Sequence, residues 1–154
     1  MPLRALALDS KPQILSVDSP VRAVLRLMFE QRIDQVALVD AAGRFVGLAG
    51  VGMALERVVP VSARAEQGLN DLAFAGDALP MLLDHFQALL DQPAALLLDA
   101  RAKPLHVATP LLEAALLLTR AHGPLPVLDD AGILVGLLGQ RDLMHFLSTR
   151  SDAA

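Results

Sequence analysis

The sequence lacks several things, and each lack removes a class of function. It has no cysteine, so there is no disulfide framework, thiol nucleophile or cysteine metal site. A thiol-free chain fits a reducing compartment. Tryptophan and tyrosine are absent, aromatics make up only 3% of residues, and the net charge is −4. No Lys/Arg run stands out either, so the basic face and stacking platform of a nucleic-acid binder are missing. No segment approaches the roughly 18 uninterrupted apolar residues of a membrane span; "AALLLDA" and "LLEAALLLT" are each cut by charges. The start, "MPLRALALDS", lacks the long apolar region of a signal peptide. A soluble, cytoplasmic protein that binds neither nucleic acid nor membrane is expected.

Apolar residues, by contrast, reach 54%, with Leu, Ala and Val supplying the core. That is more apolar surface than one small chain can hide, so a homo-oligomeric interface is expected. A length of 154 residues suits one domain, or two small repeats sharing a core, without metal or disulfide staples.

The chain repeats itself. Residues 5–20, "ALALDSKPQILSVDSP", align without a gap on residues 95–110, "ALLLDARAKPLHVATP". An amphipathic helix follows each copy. In the first, Ser19 is the expected N-cap and Pro20 the first helical residue, with Val21, Val24, Leu25 and Met28 on one face. Arg26 and Glu30 are spaced for a surface ion pair. In the second, Thr109 caps and Leu111, Ala114, Ala115 and Leu118 form the stripe. This helix is apolar on more sides, which predicts deeper burial.

Two short strands and a tight turn come next, "QVALVDAAGRFVGLAG" and "LPVLDDAGILVGLLG". Asp opens each turn, and Gly43 or Gly132 is free to take positive φ. Each copy ends in a second helix, near 51–57 and 140–148. The pattern, twice over, is strand–helix–strand–strand–helix.

The motifs resemble a tandem pair of CBS (cystathionine-beta-synthase) domains, a Bateman module. The second copy, "LPVLDDAGILVGLLGQRDLMHF", matches through Pro126, Val127, Asp129, Gly132, Gly136, Asp142 and Leu143. The first, "VALVDAAGRFVGLAGVGMALE", matches through Asp40, Gly43 and Gly47. The resemblance implies an α+β (α/β) fold of two βαββα repeats packed with pseudo-two-fold symmetry. It also implies a homodimer, and a regulatory rather than catalytic role toward an effector protein that the sequence does not name. Adenosyl ligands (AMP, ADP, ATP or S-adenosylmethionine) would bind between the repeats, with no cofactor required. The expected layout is repeat 1 over 1–58, a linker over 59–94 with a helix near 78–91, repeat 2 over 95–150, and a disordered tail, 151–154.

Carried onto this chain, the resemblance makes Asp142 the ribose carboxylate. Its alternative is an acid that merely complements the helix dipole. Gly139 stands where the family usually has a phosphate-holding Thr. The free N–H groups from Gln140 onward still suit an anion, and Arg141 either adds charge or is solvated. Leu105, Val107, Leu125 and Pro126 would line the base slot, or are plain core. His106 is either a ligand contact or structural, and a metal role with His145 lacks a third ligand. In the first copy Gly50 replaces the Thr and Met53 the Asp. A thioether is a poor partner for a diol, so this site is expected to be empty or weak.

"FVGLAGVGMALE" reads G-x-x-G-x-G, not the dinucleotide fingerprint G-x-G-x-x-G. With no nucleophile–base pair or metal cluster apparent, an enzyme is not expected. The linker helix, "DALPMLLDHFQALLDQP", is capped by Asp77 and has a stripe of Leu79, Leu82, Leu83, Phe86 and Leu90. It either covers one end of the sheets or contacts a partner.

Overall fold

The computed structural model describes residues 2–59 and 78–153. Repeat 1 contains β1 (Ile14–Ser16), α2 (Val21–Gln31), β2 (Gln35–Val39), β3 (Phe45–Gly50) and α3 (Val51–Val58), preceded by α1 (Pro2–Leu8). After α4 (Leu79–Leu90) and a 3-10 turn at Ala94–Leu97, repeat 2 contains β4 (Leu105–His106), α5 (Leu111–Arg120), β5 (Leu125–Leu128), β6 (Leu134–Leu138) and α6 (Gln140–Ala153). The expected α+β class and duplicated βαββα order are both present. The sequence also suggests that "VVPVS" finishes a strand and that residues 65–76 hold a short helix broken at Gly76; beyond Val59 these, like the Asp77 cap, fall on residues 60–77, outside the described residues.

Each repeat folds into a three-stranded sheet, in the orders β1-β2-β3 and β4-β5-β6. The first pair in each is parallel and the second antiparallel. The register slips at matching places, between Leu38 and Val39 and between Val127 and Leu128. The hairpin turns form as their residues dictate. Asp40 Oδ1 accepts the N–H groups of Ala42 and Arg44, and Asp129 Oδ1 those of Ala131 and Ile133. Gly43 and Gly132 then close the turns at φ of 81° and 79°, a region that costs glycine nothing.

The leader of each repeat packs on the other repeat. Helix α1 lies against β6, with Leu3 and Ala7 in the core of repeat 2. The 3-10 turn lies against α3 and β3, with Ala94 and Leu97 in the core of repeat 1. Both crossings are tied by hydrogen bonds. Leu137 N–H donates to Ser10 Oγ at 2.8 Å, and Asp99 N–H to the Leu48 carbonyl at 2.8 Å. The chain returns to its own repeat just after these ties, at Lys11 in the first copy. There Lys11 takes φ 45°, a left-handed conformation that is strained for a side-chain-bearing residue.

Several local expectations change. Helices α2 and α5 begin one residue late, with Pro20 and Pro110 at the cap positions and no side-chain cap. Thr109 Oγ1 instead accepts the His106 N–H at 3.0 Å. Arg26 and Glu30 do not pair; Arg22 reaches Asp91 on the linker side at 3.0 Å, an exposed contact of little weight. Helix α5 is not the more buried of the two. Its additional leucines, Leu112, Leu116 and Leu117, face outward, because α4 covers α2 and α3 rather than repeat 2. Helix α6 runs to Ala153, so residues 151–153, expected in a disordered tail, are helical.

Candidate functional site

A cleft of about 760 Å³ opens between the repeats, a size that suits a small-molecule ligand. Repeat 1 contributes Ser10–Gln13 of its leader, Ile33–Gln35 ahead of and into β2, and Gly50–Gly52 at the α3 entry. Repeat 2 contributes Asp99, Arg101, and the segment from Arg120 to Leu125. The repeats touch at this cleft, where the Gln35 side chain packs on Gly123.

The walls are charged. Lys11 and Arg101 occupy the same register in the two leaders and meet in one cleft. Arg120 and His122 add to the repeat 2 side, and Asp34 to the repeat 1 side. Asp99 Oδ1 accepts both the backbone N–H and the Nε–H of Arg101 at 3.0 Å. Burial of the Asp99 carboxyl would raise its pKa, but the Arg101 hydrogen bonds and charge, with a contribution from His122, outweigh this and hold it below the usual carboxylate range. The same pair raises the Arg101 guanidinium. Asp34 lies beside the α3 entry, since Val51 N–H donates to its carbonyl at 2.9 Å.

Of the nine residues expected to bind ligand, only Leu125 lines this cleft. Asp142 turns back on its own helix, and its Oδ2 accepts the Gly139 N–H at 2.7 Å. Gln140 Nε2 donates to the Leu118 carbonyl at 2.7 Å. Arg141 is exposed on α6. Leu105 and Pro126 are buried, and Val107 packs on the repeat 2 core. His106 is structural in its contacts: Nδ1 accepts the Ala108 N–H at 2.9 Å, and Nε2 faces Asp130 Oδ1 at 2.7 Å. Met53 packs into the repeat 1 core, so its side chain belongs to packing. Among the described residues no group of His, Cys, Asp and Glu is placed to hold a metal ion, and no helix is long and apolar enough to cross a membrane.

Lys11, Asp34, Asp99, Arg101, Arg120 and His122 were not singled out from sequence. One signal was available: Lys11 and Arg101 share a column of the 5–20 and 95–110 alignment. A basic residue kept at one place in both copies of a repeat points to one shared location.

Comparison with known proteins bears directly on the duplication. The CBS domain family matches residues 4–59 and residues 101–149. The chain belongs to the CBS domain family. Solved structures share the fold of this CBS pair. A CBS domain-containing protein from Kribbella flavida superposes with a TM-score of 0.69 at 17% identity, covering 94% of this chain and 97% of that one. One from Bacillus anthracis gives a TM-score of 0.70 at 14% identity, covering 95% and 91%. The CBS-pair protein CBSX2 from Arabidopsis thaliana gives 0.68 at 17%, covering 93% and 90%. A structure of CBSX2 in complex with AMP gives 0.62 at 18%, covering 92% and 90%. Comparison with the curated proteins finds no match.

Proposed function

We propose that this CBS pair is a regulatory ligand-sensing module that binds an adenosine nucleotide between its repeats. The observation that carries the reading is the cleft itself. It has ligand dimensions, draws its walls from both repeats, and collects cations in a chain of net negative charge. The AMP complex of CBSX2, a protein of the same fold, supports the ligand class. A ligand touching both repeats stabilises one packing of them. It can influence an effector protein only by the difference in its affinity for the two packings.

The test is thermal melting of the purified chain with AMP, ADP, ATP or S-adenosylmethionine. A ligand present at a hundred times its Kd stabilises the native state by about 2.7 kcal/mol, a rise of several degrees. If none of the four at millimolar concentration moves the transition, the sensor reading fails.

A second reading is a dimerisation and interaction module without nucleotide. Its support is that both Thr positions are Gly, that Met53 has entered the core, and that Asp142 is committed to Gly139.

A further inference from the structure

Two glycines in the cleft wall have no structural reason to be glycine. Gly47 and Gly136 have other atoms where a side chain would begin, Gly123 and Gly139 have side-chain atoms at a tight 3.2 and 3.3 Å from it, and Gly43 and Gly132 have positive φ. Gly50 and Gly52 have none of these. A Cβ at either meets nothing within 4 Å, and Gly50 sits at φ −120° and ψ 145°, open to any residue. Gly52 lies inside α3, where glycine is a poor helix former. Both line the cleft. The fold would accept a side chain at each, and the bare edge leaves room for something else.

The charges beside this edge are free to act on a ligand. Asp34 is exposed, and its carboxylate has neither a hydrogen bond nor an ion pair among the described residues. An ionised carboxylate is acceptor-only, with two oxygens, and suits a pair of vicinal hydroxyls. Lys11 and Arg120 likewise form no ion pair there. Arg101 parks on Asp99, whose carboxylate would keep the Arg101 backbone N–H if the guanidinium swung away. Asp142, by contrast, already caps its own helix.

Resting on the nucleotide reading, we infer that the ligand is a phosphorylated nucleoside lying against Gly50–Gly52. Asp34 holds its sugar diol, and Lys11, Arg101 and Arg120 its phosphate. The same cations disfavour S-adenosylmethionine, which places a positive sulfonium where a nucleotide has its first phosphate and carries a net positive charge despite its one carboxylate. A like charge placed against a competitor is an ordinary source of specificity.

Calorimetric titration of the full chain tests this with AMP, ADP, ATP, adenosine and S-adenosylmethionine. The phosphorylated compounds should bind, adenosine at least about ten-fold more weakly, and S-adenosylmethionine not measurably. Asp34→Asn and Arg120→Gln should each lower affinity by about ten-fold, the usual scale for losing a hydrogen bond to a charged group, with unchanged melting temperature. Gly52→Ala should raise the melting temperature and still weaken binding, which separates a blocked site from a damaged fold. Asp142→Asn should change affinity less than about two-fold. If Asp142→Asn abolishes binding while Asp34→Asn and Arg120→Gln do not, the ligand lies at the α6 entry: the nucleotide reading stands and this assignment falls. Preferential binding of S-adenosylmethionine overturns the phosphate assignment. If no adenosyl compound binds, the nucleotide reading fails first and this inference with it.

Discussion

A methyl group at Gly136 would overlap the backbone carbonyl of Ala7, which reaches it from the leader of the other repeat. At the matching position, Gly47, the obstacle is the Leu98 side chain, with Cδ2 at 2.7 Å. The two glycines are equivalent in sequence but not in rigidity, because a leucine tip can rotate and a helical carbonyl cannot. Gly136→Ala is therefore expected to cost about 2–3 kcal/mol, the upper part of the range for overpacking, and Gly47→Ala about 1 kcal/mol or less. Urea unfolding of both variants measures the difference, and equal costs would mean that α1 yields as readily as a side chain. The repeat alignment put Gly47 and Gly136 in the same column. It could not show why, since the atoms each must admit come from the other copy. The site residues divide in the same way. The motif frame located the α6 entry, but not that Asp142 folds back onto Gly139, because a first-turn acid serves equally as cap or ligand group.

Helix α4 shows how an element can be legible while its buried face is not. Its extent, Leu79–Leu90, agrees with the sequence pattern to within a residue. Its stripe agrees only in part. Leu79 and Leu83 are exposed, whereas Leu89 is buried and Phe86 and Leu90 pack on the repeat 1 core. A segment reading LPMLLDHFQALL carries leucine on nearly every side, so periodicity alone does not select a face. Contacts with α2 and α3 select it, helped by His85, whose Nδ1 lies 2.8 Å from the carbonyl of Val58. Leu89→Ala should then destabilise the fold by about 2–4 kcal/mol. Leu83→Ala, at a side chain 49% exposed, should stay within about 0.5 kcal/mol. Chemical denaturation of the two variants decides it, and a larger loss at Leu83 would mean that this outer face is covered in solution.

At the scale of the whole molecule, the exchanged leaders make each repeat's core depend on the other, with Leu3 and Ala7 serving repeat 2 and Ala94 and Leu97 serving repeat 1. The duplication was legible in sequence; this exchange was not, because local pattern does not say which copy a leader joins. The outer faces are unequal. Helix α4 lies over α2 and α3, whereas the paired α5 and α6 have no such cover among the described residues. They leave Leu112 83% and Met144 65% exposed, with Leu116 and Leu147 beside them. The chain is expected to pair with a second copy through this repeat 2 face, since a two-fold contact would take these exposed apolar side chains on two packed helices out of water. Light scattering should then give a mass twice that of the 16.4 kDa chain. Leu112→Glu combined with Met144→Glu should return it to the monomer without loss of helix content. Leu55→Glu, at an exposed site on α3 of repeat 1, should leave the dimer intact. A monomeric parent chain would remove the homodimer altogether, and a dimer broken by Leu55→Glu but not by the α5–α6 pair would move the interface to repeat 1.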